Sequence, residues 1–234
     1  MSSAEPATGA RADITPLRVL GLVDIHWSGH GEPRLPELSG IDLVLLGGDL
    51  THFAGIEVAR KLVEEIQQAG PRVLAVCGNC DQPEIEGYLE EIGIALDRRA
   101  QVIAGTIFVG LSAGLPFGGC PYERTEKEFA AAGAEAKAAA DEIFTSGPTV
   151  LLSHQPPYGT KCDRVLKIRH VGSRAIRELV EEWQPDLVLC GHIHESAGDD
   201  RIGDTRVINP GPWRRGHSLR FDITTDGIEI REQT

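Results

Sequence analysis

The stretch that decides the fold is Asp42-Leu43-Val44-Leu45-Leu46-Gly47-Gly48-Asp49-Leu50-Thr51-His52. A short continuous apolar run ended by glycine is typical of a strand buried on both faces. Gly47 and Gly48 let the backbone turn sharply there, so Asp49 lies just past the carboxyl end of a central strand. Ligands bind at that edge of open α/β sheets. A helix cap formed by Asp49 explains this stretch alone about as well.

Similar strands and amphipathic helices alternate on both sides of this stretch. Short links between a strand, a helix and the next strand indicate parallel neighbours. Hairpins are predicted at Ala104-Gly105 and at Thr225-Asp226-Gly227. The other predicted strands are residues 18–23, 72–77, 149–153, 187–190 and 206–209. The predicted helices are residues 55–69, 84–92, 124–144 and 173–183, the third with Gly133 as a candidate interruption.

Composition limits the classes of protein to which the chain can belong. Its 234 residues, 41% of them hydrophobic, suit one domain over residues 17–234 after a disordered tail over residues 1–16. The net charge of −12 argues against long nucleic acid as the main partner. It is compatible with a small phosphorylated ligand that is held by a local metal ion. The five cysteines are an odd number, which favours a reducing compartment. The sequence has no apolar run of membrane length and no apolar core of a signal peptide. We therefore predict a cytoplasmic protein without a membrane partner. The oligomeric state stays open.

Polar side chains follow five of the predicted strands. Alternate residues of an extended chain point the same way, so Asp24 and His26 share a face. One polar strand end alone is weak evidence for a functional site. Five polar strand ends at the edge of one parallel sheet are hard to obtain by chance. The residues are Asp24, His26, Asp49, Asn79, His154, His192 and His194.

Imidazole, carboxylate and amide oxygen are ligands that suit first-row divalent metals. Seven ligands are too many for one tetrahedral ion, but they fit two ions if Asp49 bridges them. Two such ions about 3.5–4 Å apart hold a phosphoryl group for in-line displacement. With Asp24, Asp49 and a hydroxide bound, such a pair keeps about one net positive charge, which favours a phosphate ester.

These residues resemble the five sequence blocks of the calcineurin-like metallophosphoesterases, in the family's order. The blocks are Asp24-x-His26, Gly48-Asp49, Gly78-Asn79-x-Asp81, His154 and Gly191-His192-x-His194. Asn209-Pro210-Gly211 resembles a turn of the smaller bacterial and archaeal members, in the branch related to cyclic-nucleotide phosphodiesterases. The resemblance implies an α/β fold, a four-layer α/β/β/α sandwich with mixed sheets, and a site at the strand ends.

The resemblance also implies roles for individual residues. The first metal would take Asp24, His26, Asp49 and His194, and the second would take Asp49, Asn79, His154 and His192. We expect two divalent transition-metal ions, with manganese favoured and iron, zinc or nickel as alternatives. The expected reaction is in-line attack of a metal-bridging hydroxide on a small phosphate ester, most naturally a phosphodiester. The expected catalytic residues are Asp49, Asn79, Cys80, Asp81 and His192.

Cys80 departs from the family pattern, which usually places a histidine beside the asparagine to help protonate the leaving oxygen. A thiol, with a reference pKa of about 8.5, is a poorer acid partner for an alkoxide than imidazolium. His52 is the alternative proton donor. A redox pair of Cys77 and Cys80 is a weaker interpretation, because Pro83 delays the helix that usually follows such a pair.

Two other functions stay open. The alternatives to a phosphodiesterase are a phosphomonoesterase and, in a different class, a non-catalytic interaction scaffold with this fold. A complete set of competent ligand residues favours the enzyme over the scaffold. A basic segment, Lys161 to Val171, has no assigned role in either case, and a solvated surface is its simplest explanation.

Overall fold

A computed structural model describes residues 15–143, 145 and 147–233. The predicted tail therefore lies outside the described residues except for Thr15 and Pro16. The helices are α1 (Ile56–Gln68), α2 (Glu84–Glu91), α3 (Glu126–Asp141) and α4 (Arg174–Trp183). The first strands are β1 (Leu17–Leu22), β2 (Leu43–Gly47), β3 (Arg72–Val76), β4 (Ala100–Ile103), β5 (Thr106–Leu111) and β6 (Thr149–Ser153). The others are β7 (Arg164–Val165), β8 (Arg169–His170), β9 (Leu187–Cys190), β10 (Gly198–Ile202), β11 (Thr205–Asn209), β12 (Leu219–Thr224) and β13 (Gly227–Gln233).

The long strands form two mixed sheets. One has five strands in the order β13-β12-β1-β2-β3, and the other has six in the order β10-β11-β9-β6-β5-β4. Strands β1, β2 and β3 are parallel, as are β5, β6, β9 and β11, whereas the other neighbours in both sheets are antiparallel. The expected α/β class with mixed sheets is confirmed.

Strand β2 shows how the layers stack. Leu43 and Leu45 point into a core shared by the two sheets, and Val44 and Leu46 point into a second core with helices α1 and α2. A third core packs α3 and α4 on the outer face of the six-stranded sheet. The order is therefore helices, sheet, sheet, helices, the expected four-layer α/β/β/α sandwich. Because β2 is buried on both faces, every residue in it is apolar or glycine.

The predicted helices and hairpins are found within a few residues of their expected bounds. Gly133 does not interrupt α3: a Cβ there would lie 3.0 Å from Leu179 Cδ2, so glycine instead lets α3 approach α4 closely. The predicted end of this helix, Phe144, lies outside the described residues. Strand β10 was not predicted, because its sequence Gly-Asp-Asp-Arg-Ile lacks apolar alternation. The basic segment is also not a plain loop, since it contains the short hairpin of β7 and β8.

The strand ends that carry the candidate ligands come from both sheets, so the expectation of one parallel sheet is wrong. Asp24, Asp49 and Asn79 follow β1, β2 and β3, whereas His154 and His192 follow β6 and β9. The two sheets pack face to face with these ends on the same side, which brings the donors together. Among the described residues, no helix has the length and apolar character needed to cross a membrane.

Candidate metal centre

Four donors form the tighter part of the site. One ligand atom from each of Asp24, His26, Asp49 and His194 lies within 4.8 Å of the others. His26 Nε2 is 3.1 Å from His194 Nε2 and 3.4 Å from Asp49 Oδ2. His194 Nε2 is 3.4 Å from Asp24 Oδ1. Two carboxylates and two imidazoles at these separations form a donor set that suits a first-row divalent ion.

The other oxygen of Asp49 faces a second group of donors. His154 Nε2 lies 3.5 Å from Asp49 Oδ1 and 3.0 Å from Asn79 Oδ1. The His192 ring is next to that of His154, with 5.1 Å between the ring centroids. The two oxygens of one carboxylate therefore face two different donor groups, which is the arrangement that a bridging ligand requires.

Hydrogen bonds from the surrounding backbone fix the orientation of two donors. His154 Nδ1 lies 2.9 Å from the carbonyl oxygen of Gly47. Because a carbonyl only accepts, Nδ1 carries the proton and the lone pair of the neutral ring is on Nε2, which faces Asp49 and Asn79. The carboxylate of Asp24 accepts the His192 backbone N–H at 3.1 and 3.0 Å. The end of β1 is thus attached to the end of β9 through a candidate ligand.

Burial and neighbouring charges set the protonation of the donors. Burial lowers the pKa of His26 to about 4, although Asp49 and Asp24 oppose the shift. Burial and the charge of His154 likewise lower the pKa of His192 to about 4. Burial opposes ionisation of Asp24, but its hydrogen bond to His194 and the nearby imidazoles outweigh burial and lower its pKa. At neutral pH the site therefore offers an anionic carboxylate and neutral imidazoles, the forms that bind metal.

His154 differs from the other two imidazoles. Burial opposes its charged form, but Asp49 and Asp24 outweigh burial and raise its pKa. A proton therefore competes with a metal ion at His154 more strongly than at His26 or His192.

The backbone is strained at the donors. Asp24, His26, Asp49 and His192 have φ values of 53°, 49°, 48° and 67°, in the left-handed region that residues with a side chain rarely adopt. Strain of this kind persists only where the surrounding structure enforces it, and it concentrates at functional sites.

Glycines make room for the donors. A Cβ on Gly78 would lie 2.1 Å from Asp49 Oδ1, and one on Gly48 would lie 2.4 Å from His154 Nδ1. The Gly-Asp and Gly-Asn pairs at these strand ends are therefore required by packing around the donors.

Comparison with known proteins assigns the family. The sequence model of the calcineurin-like phosphoesterase superfamily domain matches residues 17–224. This chain belongs to the calcineurin-like phosphoesterase superfamily. It is 37% identical over 204 residues to the uncharacterized protein MJ1162 of Methanocaldococcus jannaschii, a match that covers 84% of this chain and 88% of the relative. It is 29% identical over 133 residues to UPF0046 protein K07C11.7 of Caenorhabditis elegans, covering 57% of this chain and 40% of the relative.

A solved structure shares the fold. The crystal structure of TT1561 of Thermus thermophilus superimposes with a TM-score of 0.67 at 17% identity, covering 94% of this chain and 100% of the other. The family is metal-dependent, and the residues Asp24, His26, Asp49 and His194 of this member could hold a metal ion.

Asp81 and Cys80, expected to be catalytic, lie beside the donors of this superfamily member rather than among them. The carboxylate of Asp81 is fully buried and accepts hydrogen bonds from the backbone of Leu50, Thr51 and Gly78 and from the Thr51 hydroxyl, at 2.8 to 3.0 Å. Burial and the charge of Asp49 raise the pKa of Asp81 to about 6. These contacts connect the ends of β2 and β3, so Asp81 positions Asp49 and Asn79. Its direct catalytic role stays a prediction.

Cys80 contacts the site through its backbone and its side chain. Its backbone N–H donates to Asp49 Oδ1 at 2.8 Å, and its sulfur lies 3.5 Å from Asn79 Nδ2. Burial and the charge of Asp49 raise the pKa of the Cys80 thiol, so the thiol stays protonated. All five cysteines are free.

Two residues outside the candidate ligand set contact the donor segments, and the sequence had indicated only Asn209, as part of a turn. Arg214 Nη2 lies 3.1 Å from His194 Nδ1, and Asn209 Nδ2 donates to the carbonyl oxygen of Ile193 at 3.1 Å. Arg214 is in a 3-10 turn after β11 rather than at a strand end that carries a donor, so no periodic pattern marks it. The resemblance of Asn209-Pro210-Gly211 to a family turn was the available signal. His52, the alternative proton donor, has its ring centroid 5.6 Å from that of His26.

Proposed function

We propose that the protein is a dinuclear metal-dependent phosphoesterase that hydrolyses small phosphodiesters. The observation that carries this proposal is the placement of Asp49 between two donor groups, 3.4 Å from His26 Nε2 and 3.5 Å from His154 Nε2. Asp49 would bridge the two ions. The first ion would be held by Asp24, His26 and His194, and the second by Asn79, His154 and His192. Divalent ions there would supply the Lewis-acid charge needed for in-line displacement at phosphorus.

The protein's own residues position the donors and keep them in a binding form. Asp24 receives the His192 N–H, His154 is oriented by the Gly47 carbonyl, and Asp49 receives the Cys80 N–H. These contacts are already made in the folded protein, so little reorganisation is needed when ligands bind. Every position of the proposed set holds a competent ligand, which supports an enzyme over an interaction scaffold.

A phosphodiester is favoured over a monoester because Cys80 and the Asn209-Pro210-Gly211 turn resemble branches of the family that act on phosphodiesters. The protonated Cys80 thiol occupies the position where the family usually has a histidine, so this position supplies no strong general acid. Esters with good leaving groups are then favoured, in monoesters and diesters alike. A groove of about 890 Å³ beside His192 and His194 also leaves room for organic groups attached to the phosphate. A phosphomonoesterase is the alternative within the same enzyme class.

The test is an activity screen of the metal-reconstituted protein. We expect hydrolysis of bis(4-nitrophenyl) phosphate to exceed that of 4-nitrophenyl phosphate. We also expect more activity with manganese than with magnesium, because four of the seven proposed ligands are imidazoles and magnesium prefers oxygen-only shells. No hydrolysis of either ester with manganese, iron, zinc or nickel would count against the proposal. Faster monoester turnover would favour the alternative.

A further inference from the structure

The groove beside His192 and His194 is much larger than a single phosphate group requires. It has a volume of about 890 Å³ and is lined by residues 115–117, by parts of the segment 158–174, by residues 192–195 and by Arg215. Most of the basic segment Lys161–Val171, left unassigned by its sequence, lies in or next to this lining. The organic part of any ester bound at His192 and His194 would extend into this space.

The charge of the groove is opposite to that of the whole protein. Arg169, Arg174 and Arg215 line it, and Glu195 is the one carboxylate among the described lining residues. No ion pair between described residues includes any of these three arginines. Some arginines elsewhere pair with carboxylates, such as Arg206 with Asp199 at 2.5 Å, and others, such as Arg34 and Arg72, are in no ion pair between described residues. In a chain with a net charge of −12, the three arginines give this groove a local positive charge that attracts anions.

A buried carboxylate holds part of this lining in place. Asp163 is fully buried and accepts the backbone N–H groups of Gly159, Thr160 and Gly172, each at 3.0 Å. It also lies 2.6 Å from His170 Nδ1. Because the carboxylate accepts, His170 Nδ1 carries a proton, and this contact fixes the orientation of the His170 ring beside the groove.

Aromatic contacts hold the neighbouring cation. The Arg174 guanidinium lies over the Tyr158 ring, 4.1 Å from its centroid, and the Tyr158 ring is 5.6 Å from that of His170. A guanidinium stacked in this way keeps its N–H edge available for hydrogen bonds. Since the side chains are already ordered, an anion that binds here meets a smaller entropic cost.

We propose that this groove binds a second anionic group of the substrate, so that the preferred substrates are phosphodiesters that carry an additional phosphate. This inference rests on the proposed phosphoesterase function. Guanidinium groups bind phosphate through paired, charge-assisted hydrogen bonds, whereas a neutral organic group brings no negative charge to these arginines. Apolar lining residues, among them Leu115, Val165 and Ile193, suit the organic part that joins the two phosphates.

A matched pair of substrates tests the inference. Thymidine 5′-(4-nitrophenyl phosphate) and its 3′-phosphorylated form have the same leaving group and differ only in the second phosphate. We expect a KM about tenfold or more lower for the 3′-phosphorylated form, because charge-assisted hydrogen bonds from the arginines to the added phosphate strengthen its binding. A separate titration calorimetry experiment compares thymidine 3′,5′-bisphosphate with thymidine 5′-monophosphate. We expect a similar preference for the bisphosphate.

Variants locate the effect. Arg169→Gln and Arg174→Gln should each reduce the ratio of the two KM values and the calorimetric preference severalfold. Lys167→Gln is the matched control: Lys167 lies on the same exposed hairpin and loses the same charge, but it does not line the groove. We expect this control to keep the wild-type ratio.

The outcomes separate this inference from the proposed function. Equal KM and equal affinity for the matched compounds would overturn the inference while leaving a working phosphodiesterase. A preference that Lys167→Gln reduces as much as Arg169→Gln would also overturn it, because the effect would then be general charge attraction. If neither ester is hydrolysed with any metal, the proposed function fails, and calorimetry alone decides whether the groove prefers the bisphosphate.

Discussion

Asp49 is the residue on which the proposed chemistry depends. Its two carboxylate oxygens face His26 and His154, and it also receives the backbone N–H of Cys80. Asp81 lies just behind it and holds the backbone of Leu50 and Thr51. A change at Asp49 alone therefore tests whether one carboxylate serves both donor groups.

Asp49→Asn should abolish activity and weaken metal retention, because an amide removes the negative charge that a bridging ligand supplies to two ions. The measurement is elemental analysis after saturation with manganese and gel filtration, together with turnover of bis(4-nitrophenyl) phosphate. We expect about two metal ions per chain in the wild type, in line with a two-metal site. Less than one metal per chain in the saturated wild type would contradict the two-ion site. A fully active Asp49→Asn variant would contradict the bridging role.

Cys80→His should increase turnover of an alkyl diester more than that of a nitrophenyl diester. Without a strong general acid the leaving oxygen departs largely unprotonated, so wild-type rates should fall steeply as leaving-group pKa rises. General-acid assistance typically increases the rate about 10²–10⁴-fold. In Cys80→His, turnover of the alkyl ester should increase by part of this factor. The measurement is kcat for both esters in both proteins. Equal responses of the two esters would show that Cys80 is not limiting, and His52 would then be the residue to change.

At the scale of elements, three of the five donor-bearing strand ends have a glycine directly before the donor, at Gly48, Gly78 and Gly191. The backbone after β2 and β3 passes so close to the donors that a Cβ is not tolerated. A methyl group on Gly78 would lie 2.1 Å from Asp49 Oδ1 and 2.3 Å from the Asp49 backbone nitrogen, both well inside contact distance. Gly87, in the helix α2 that follows β3, is under no such constraint, since a Cβ there meets nothing within 4 Å.

Gly78→Ala should displace Asp49, lower metal content and destabilise the protein by about 1–3 kcal/mol, the usual cost of overpacking a well-packed site. Gly87→Ala is the control. Gly87 is exposed in α2, and a Cβ there meets nothing within 4 Å, so alanine should stabilise the helix by about 0.5–1 kcal/mol. Urea unfolding and metal analysis of both variants provide the measurements. Retention of normal metal content by Gly78→Ala would contradict the close packing of the site.

At the scale of the whole molecule, a buried carboxyl connects the two halves of the sandwich. Glu86 on α2 accepts a hydrogen bond at 2.6 Å from the hydroxyl of Ser112, which follows β5 of the other sheet. Ser112 Oγ in turn receives the backbone N–H of Cys77. Burial and the charge of Asp97 raise the pKa of Glu86 to about 7. The protonation of Glu86 is therefore linked to the stability of the fold.

Glu86→Gln should change how stability depends on pH. The folded protein keeps the Glu86 proton up to about pH 7, whereas the unfolded chain loses it near pH 4.5. The contribution of Glu86 is therefore fully present below pH 4.5 and is lost as pH rises through about 7. A neutral glutamine avoids this loss, so the free energy of unfolding of the variant relative to wild type should rise over this range by on the order of 1–3 kcal/mol. Urea unfolding of both proteins at several pH values measures this difference in the free energy of unfolding. A difference that does not change with pH would contradict the prediction.

Much of the fold could be predicted because its signals are local. The apolar run before Gly47-Gly48 predicted β2, and the 3.6-residue period of Ala59, Leu62, Val63 and Ile66 predicted α1. Strand β10 was missed because its charged residues carry no such pattern, and pairing with β11 decides its structure.

The donor types, their order and the family whose blocks they match follow from consecutive residues, because side-chain chemistry and local backbone breaks are local properties of the chain. The tertiary structure alone decided that the donors come from two sheets, that Arg214 contacts His194, and that unpaired arginines surround one groove. These contacts join residues far apart in the chain, and no local pattern encodes the distance between them. Packing of the two sheets face to face brings them together, and that packing depends on the whole buried core.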